Sequence, residues 1–370
     1  MPRYGKLRKA KRQLSIESGP RPKPAQVASG PFSIGEVAQA GGSDAADISW
    51  TIARMDLSIC ILTHDQPDLL PRCVASCLAE VQRERIASEI IIIDNASTDG
   101  SPQKAASLSP LVRVIRNEEN LGFSKANNIG IRASGGKYVL ILNDDTEFRP
   151  GALGLLIATL DANPRLGGVG PKFLNPDGSF QRGNAPKRFP RLRGIVSELL
   201  NLDFVFEKFP LTRDMVTNRR DENRGGEAEQ IDCACLLARR EALEAVGLFD
   251  EEFYFLFEDT DLCYRLEQAG WKLWYVPEAR ITHYGGASFK KVMRSERAGM
   301  HFEGLTRFFR KHSSPGRFLL FRLTLAGTLC LRMPLAVLLS LSPVGRIRRK
   351  WKGTVPVYSK ILRSLLFVRG

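Results

Sequence analysis

Four short apolar runs constrain this chain most: LSICILT (57–63), EIIIID (89–94), VRVIRN (112–117) and KYVLILND (137–144). They are apolar on both sides rather than alternating, which predicts strands buried on both faces. Between them, DLLPRCVASCLAEVQ (68–82) and residues 122–134 carry apolar side chains at helical spacing. A short polar helix is expected after the turn from Asn95 to Ser101. This alternation predicts an α/β fold, a Rossmann-like, mostly parallel sheet with helices on both faces. Ligands of such sheets sit outside the carboxyl ends of the strands. Here those ends are Thr63-His64-Asp65, Asp94-Asn95, Asn117 and Asn143-Asp144-Asp145, so polar residues are expected along one edge.

The second half is less regular. GALGLLIATLDAN (151–163) predicts a helix, and VGPKFLNPDGSFQRG (169–183) a hairpin turning at Asn175-Pro176-Asp177-Gly178. CACLLARREALEAVGLF (233–249) reads as a strand entering a helix, and DTDLCYRLEQAG (259–270) as a helix closed by Gly270. KLWYVP (272–277) is a strand and ARITHYGG (279–286) an extended segment. Residues 184–230 read as a variable insertion.

Charge is segregated. The chain carries +14 overall; residues 1–23 hold eight Lys/Arg and one acid, residues 304–370 hold fourteen and none, and the middle is mildly acidic. Basic ends on an acidic body suit an anionic surface, and the body is not expected to bind nucleic acid. Residues 1–55 are rich in Pro, Gly, Ala and Ser, so a disordered tail is expected, with no apolar stretch of a signal peptide. The seven cysteines form no C-x-x-C pair and read as small core residues in a reducing compartment, not as zinc ligands.

Two acidic groups stand beside apolar sequence. Asn143-Asp144-Asp145 ends a strand, and Glu258-Asp259-x-Asp261 follows FYFLF (253–257). Such carboxylates either hold a hard divalent cation that bridges to phosphates or cap helix N-termini. The two clusters together with His283, in one alternating domain, favour a site.

At this point the chain resembles the family 2 glycosyltransferases, which have the GT-A fold. The bacterial branch of rhamnosyltransferases and related cell-surface polysaccharide enzymes is the most similar. The resemblance rests on LSICILTHDQPDLLPRCVASCLAE (57–80), EIIIIDNASTDGS (89–101), NLGFSKANNIGIRASGGKYVLILNDDTEF (120–148), GPKFLNPDGSFQ (170–181) and residues 239–288. It covers about 57–312 and lapses over 184–230, which is expected to be a variable acceptor-side insertion. It implies a hexosyltransferase-class enzyme using a nucleoside-diphosphate sugar donor and Mg2+ or Mn2+. Thr63, His64 and Asp65 would then meet the nucleotide base, with an imidazole where the family has a tyrosine ring. Asp94 would meet the pyrimidine edge, and Gly122 and Asn127 the ribose and diphosphate side. Asn143-x-Asp145 stands for the family's Asp-x-Asp, so Asp145 and His283 become the metal ligands, Asn143 contacts ribose or a metal-bound water, and Asp144 fills the middle position. Asp259 becomes the base that deprotonates the acceptor hydroxyl with inversion at the anomeric carbon, Glu258 its orienting partner, and Asp261 a structural residue.

The run 304–370 interleaves apolar and basic residues. LLFRLTLAGTLCLRMPLAVLLSLS (319–342) is interrupted by Arg322, Arg332 and Pro334, which favours helices lying in the membrane interface. A packed helical subdomain, an oligomer interface and a spanning hairpin are the alternatives. The expected organisation is a tail (1–55), a GT-A domain (56–303) and a helical extension (304–370). The expected function is sugar transfer to a hydroxyl of a lipid-linked or cell-surface glycan. Its place is cytoplasmic, at the inner face of the cell membrane. A nucleotidyltransferase is disfavoured because Thr63 to Pro71 holds neither glycine nor base; a non-catalytic scaffold is disfavoured by the intact Asp145, Asp259 and His283.

Overall fold

Each of the four apolar runs forms a strand in the computed structural model, which describes residues 56–192, 194–195, 222–285, 294–352 and 354–367. The strands β1 (Leu57–Thr63), β2 (Ser88–Asp94), β3 (Val112–Arg116) and β4 (Tyr138–Asn143) pair in parallel in the order β3-β2-β1-β4. Their period of two sorts side chains onto two faces. Ile59, Ile61, Ile90, Ile92, Leu140 and Leu142 meet α1 (Leu69–Glu84) and α4 (Ala152–Ala162) in one core. Cys60, Ile91, Ile93, Val139 and Ile141 fill the opposite core with α3 (Gly122–Ala133). The short α2 (Ser101–Ala106) follows β2.

Beyond β4 the sheet is mixed. It continues β4-β8-β6-β9-β5, through β5 (Thr146–Phe148), β6 (Leu166–Leu174), β8 (Cys235–Arg239) and β9 (Lys272–His283), and β7 (Gly226–Ala228) pairs with β9. The turn expected at Asn175–Gly178 forms, with the Gly178 N–H donating to Asn175 O at 2.9 Å and the Gln181 N–H to Phe173 O at 3.0 Å, but the hairpin is shorter than expected over 169–183. Residues 166–174 form one strand paired with β8 and β9, and the return past Gly178 makes a single bridge, Leu174 to Phe180. The strand expected at 272–277 and the extended segment expected at 279–286 join in one strand, β9, which ends at His283. Its register against β6 slips between Pro171 and Lys172, opposite the stretch that contains Pro277, a residue with no N–H to give a ladder. The N-terminus of α4 is capped by the buried Glu80, which accepts the Gly151 and Leu153 N–H groups at 2.9 and 3.0 Å, so Asp144 and Asp145 are not its caps.

Helices α5 (Arg240–Ala245) and α6 (Glu258–Gln268) lie between β8 and β9. The C-terminal part is helical: α7 (Arg294–His312), α8 (Pro315–Ser340), α9 (Gly345–Lys352) and α10 (Thr354–Phe367). A third core joins it to the body, with Phe253 and Phe257 packed among Leu305, Phe308, Phe321, Leu325 and Ile361. Helix α7 runs through residue 304, where composition alone put a boundary. The expected tail 1–55 and residues 196–221 of the expected insertion lie outside the described residues. All seven cysteines are free, six of them buried; burial pushes the Cys60 thiol up to about 12, consistent with a packing residue.

Candidate active site

The parallel register sets the strand ends level. Thr63 stands opposite Asp94, and Leu62 opposite Asn143, so three of the predicted polar ends share one edge. At the β1 end, Asp65 adopts a left-handed φ of 52° and its carboxylate accepts the Thr98 N–H at 2.7 Å. This stitches the loops after β1 and β2 and leaves His64 exposed. Asp94 is fully buried: Oδ1 accepts the Ser97 N–H at 2.7 Å and Oδ2 accepts Arg116 Nη1 at 3.0 Å. The residue expected to meet a base edge is thus already held by Arg116, whose exposed guanidinium extends the edge. Asn95 is a hub that sequence reading took for a turn residue: its amide holds Asn120, Asn117 and the Leu121 N–H.

Gly122 is required by packing. Its φ is 78°, and a Cβ there would lie 2.6 Å from the ring and carbonyl of Tyr254. Asn127 is buried on α3; its amide donates to Phe123 O at 3.0 Å, and its oxygen has no partner among the described residues.

The turn after β4 and the end of β9 meet because β5 and β9 are antiparallel, with Thr146 opposite His283. Asp145 Oδ1 lies 3.1 Å from His283 Nε2, and both side chains are buried. Burial alone would lower the His283 pKa, but the hydrogen bond and charge of Asp145, with Asp232 and Asp144 behind it, raise it overall. The field therefore favours a positive charge at Nε2. His283 Nδ1 bonds Gln181 Oε1 at 2.7 Å, and Gln181 Nε2 donates to His283 O at 3.1 Å and Asn175 Oδ1 at 3.2 Å. Two acceptors fix the amide orientation, so Nδ1 carries a proton that Gln181 accepts; Nε2 donates a second proton to Asp145, and a divalent cation between the two would take that proton's place. A carboxylate oxygen and an imidazole nitrogen so placed fit a divalent cation whose remaining ligands are phosphate oxygens and water. No set of three or more His, Cys, Asp or Glu among the described residues could hold a metal by itself. Asp144 is desolvated by its surroundings, which pushes its carboxyl up to about 7.

The second acidic group opens α6. The two residues before it, Leu256 and Phe257, both have left-handed φ, near 70°. This costs backbone energy of order 1–3 kcal/mol per residue and fixes how the helix start is presented. Glu258 is buried and Asp259 half-buried. Burial raises both carboxyls; Asp232 pushes Asp259 further up, and Asp259 does the same to Glu258. Asp259 Oδ1 accepts the Thr260 N–H at 2.7 Å, and the Thr260 hydroxyl donates to Gln230 Oε1 at 2.8 Å. Asp261 points away from these, into α7. It accepts Arg265 Nε at 2.7 Å and Lys311 Nζ at 2.9 Å, and pairs with His312 Nε2 at 2.7 Å. The structural role expected for Asp261 is what this geometry provides.

The elements that carry the strand-end acids and the α6 acids are bonded to the two ends of one short segment. The Asn143 N–H donates to Ala234 O at 3.0 Å, while Gln230 holds Thr260. Sequence reading missed Gln181, Arg116 and Asp232. Gln181 lay within a quoted block, but nothing in the spacing tied it to His283.

Comparison with known proteins places this arrangement. The family described as "Glycosyl transferase family 2" matches residues 58–247. The chain is 31% identical over 300 residues to the N-acetylglucosaminyl-diphospho-decaprenol L-rhamnosyltransferase of Mycobacterium tuberculosis, covering 77% of this chain and 94% of that one. It is 28% identical to the O-antigen biosynthesis protein RfbC of Myxococcus xanthus over 63% of this chain and 17% of that one. Among solved structures, the mannosyltransferase PcManGT from Pyrobaculum calidifontis, in complex with GDP-Man and Mn2+, superposes with a TM-score of 0.51 at 16% identity. That match covers 85% of this chain and 86% of that one, a likeness of fold.

Proposed function

The chain belongs to glycosyl transferase family 2, and from that premise we propose an inverting, divalent-metal-dependent sugar transfer to a lipid-linked glycan at the membrane surface. It is a nucleotide-sugar glycosyltransferase of the cell-surface polysaccharide branch; the donor, metal and acceptor are the parts proposed here.

The observation that carries the reading is that one segment, residues 230–234, ties the two acidic groups together: Ala234 O holds the N–H of Asn143, two residues before Asp145 of the Asp145–His283 pair, and Gln230 holds Thr260 at the start of α6. Asp145 and His283 would hold Mg2+ or Mn2+, whose charge offsets that on the departing nucleoside diphosphate. Thr63, His64, Asp65, Asp94 and Arg116 line the edge where the nucleoside would lie, with Gly122, Asn127, Asn143 and Asp144 around it. Asp259 takes the proton of the acceptor hydroxyl as its oxygen attacks the anomeric carbon from the face opposite the diphosphate, which inverts that carbon. A carboxyl pKa raised by burial makes Asp259 the better base, and Glu258 beside it orients Asp259 or the acceptor.

The acceptor reading is supported by the mycobacterial relative, whose name specifies a sugar on a diphospho-polyprenol. Helix α8 supports it independently. It is long and apolar enough to cross a membrane by length and composition, and Leu323, Leu331, Leu338 and Leu341 on it or at its end are exposed. With one face packed on the body, it is proposed to lie in the cytoplasmic interface, not to span.

Replacing Asp259 by Asn tests the assignment. Transfer should fall by about 10²–10⁴-fold, the size of a general-base contribution. Calorimetric binding of the nucleoside diphosphate with Mn2+ should stay within about threefold. Transfer above about one per cent of wild type would remove Asp259 from the base role.

A further inference from the structure

The segment joining the two acidic groups carries a third acid that the mechanism does not use. Asp232 Oδ1 accepts the Ala234 N–H at 2.9 Å and Oδ2 accepts the Asn184 side-chain amide at 2.7 Å. Among the described residues no cation pairs with it. Its position is set from both sides. Two residues before it, Gln230 is tied to Thr260, next to Asp259; two residues after it, Ala234 O holds the Asn143 N–H. Its charge reaches the α6 group, raising Asp259 and Glu258. A separate observation marks a ligand at the same place: Glu258 is 8% exposed, and its Oε2 has no hydrogen-bond partner among the described residues.

We infer that Asp232 binds hydroxyls of the transferred sugar and restricts the donor to neutral, polyhydroxylated sugars. The step rests on the proposed function. With the diphosphate at Asp145 and His283 and the acceptor hydroxyl at Asp259, the anomeric carbon lies between them, where residues 230–234 run. A carboxylate offers only acceptors, and a sugar ring offers hydroxyl donors, so the two match. The amide donors from Ala234 and Asn184 orient the group and leave outward lone pairs on both oxygens for adjacent hydroxyls. The same placement excludes acidic sugars. A uronate carboxylate would enter beside three acids, Asp232, Glu258 and Asp259. Among the described residues Lys187 is the cation whose charge reaches Asp259, so the site stays net acidic and like charges in a poorly solvated site repel strongly.

The test compares each nucleotide sugar with its own nucleoside diphosphate by calorimetry on the full chain with Mn2+. The probes are UDP-glucose, UDP-glucuronate, GDP-mannose and dTDP-rhamnose, against UDP, GDP and dTDP. Wild type should bind at least one neutral donor, and UDP-glucuronate should bind at least about tenfold more weakly than UDP-glucose. Asp232→Asn, and independently Asp232→Ser, should weaken the neutral donor about tenfold or more, as expected when a site loses its partner for a substrate hydroxyl. The Kd of the bare nucleoside diphosphate should move less than about threefold, which also reports a folded site. A donor-to-diphosphate ratio unchanged in both variants overturns the role of Asp232, and equal binding of UDP-glucuronate and UDP-glucose overturns the exclusion of acidic sugars. Failure of wild type to bind any nucleoside diphosphate is a different result: it removes the proposed function and this inference together.

Discussion

His283 is held at both ring nitrogens, and the two contacts differ in kind. Gln181 gives Nδ1 a fixed acceptor at 2.7 Å, and Asp145 faces Nε2 at 3.1 Å. An imidazole so restrained points Nε2 in one direction, the condition for a ligand that need not reorient. Asp145→Ala and His283→Ala should therefore each lower Mn2+ affinity, read by the loss of the free-ion electron paramagnetic resonance signal on titration in the presence of a nucleoside diphosphate. Gln181→Leu, which touches no metal, should lower it by about 10–100-fold through the ring alone. Unchanged Mn2+ affinity in all three variants would reject the pair as a metal site. At this scale the sequence was legible where a residue type announces its chemistry. Asp145, His283, Glu258 and Asp259 stand in acidic or histidine-bearing blocks, and the fold brings each pair together. Gln181 and Asp232 were not legible, because an amide in a turn and an acid before an apolar strand have ordinary local roles; only the β5–β9 pairing and the 230–234 contacts give them others.

Helix α6 shows how an element can be fixed from outside itself. Asp261 is fully buried two residues after Asp259 and is met by Arg265 from its own helix and by Lys311 and His312 from the end of α7. Burial alone would raise its pKa, yet the His312 hydrogen bond, the Arg265 charge and Lys311 more than offset this and hold it down, to about 2. The sign is then fixed. A depressed folded-state pKa gives stability that is fully present above the unfolded value, near 4, and lost as pH falls toward about 2. Asp261→Ala should cost about 3 kcal/mol at neutral pH, the low end for breaking a buried charge cluster, because Lys311 can reach water. Its chemical-denaturation midpoint should fall accordingly, and the difference from wild type should shrink when both are measured near pH 2–3. A pH-independent difference would assign the loss to packing. Since α6 carries Asp259, transfer should weaken as well, while nucleoside-diphosphate binding should persist. The strands that place α6 were legible from β-branched runs such as Ile90–Ile93, since a doubly buried strand has few other forms. The sequence over 169–183 suggests a hairpin because Asn-Pro-Asp-Gly does mark a turn. The chain beyond that turn, however, pairs at a single bridge, while β6 pairs with strands distant in sequence.

Across the whole molecule the basic C-terminus and the third core set one face apart. Helix α8 buries Phe321, Leu325 and Leu329 against α7 and α10, while Leu319, Leu323, Leu331, Leu338 and Leu341 are exposed. Arg322 and Arg332, which in the sequence argued against a spanning helix, are both half-buried, and the Arg332 guanidinium lies over the Tyr358 ring at 5.5 Å. The outward stripe is thereby left apolar. Arg346, Arg348 and Arg349 are exposed on the next helix, and the run from 304 onward holds no acid to oppose them. An interfacial helix gains from both terms: roughly 1.5–3 kcal/mol per leucine taken out of water, and about 1 kcal/mol per basic residue near an anionic leaflet. Deleting α8, α9 and α10 would expose Phe308 and Phe309 and confuse binding with folding, so exposed positions make the better probe. Leu331→Ser, Leu338→Ser and Leu341→Ser together should leave the melting temperature within a few degrees of wild type. Binding to vesicles of mixed phosphatidylcholine and phosphatidylserine should drop at least tenfold by flotation, because three leucines supply several kcal/mol. Replacing Arg346, Arg348 and Arg349 by Gln should instead act only at low salt, since a Debye length of about 8 Å at physiological ionic strength already screens part of that attraction. If the leucine variant floats as well as wild type at every salt concentration, the stripe is not the membrane face.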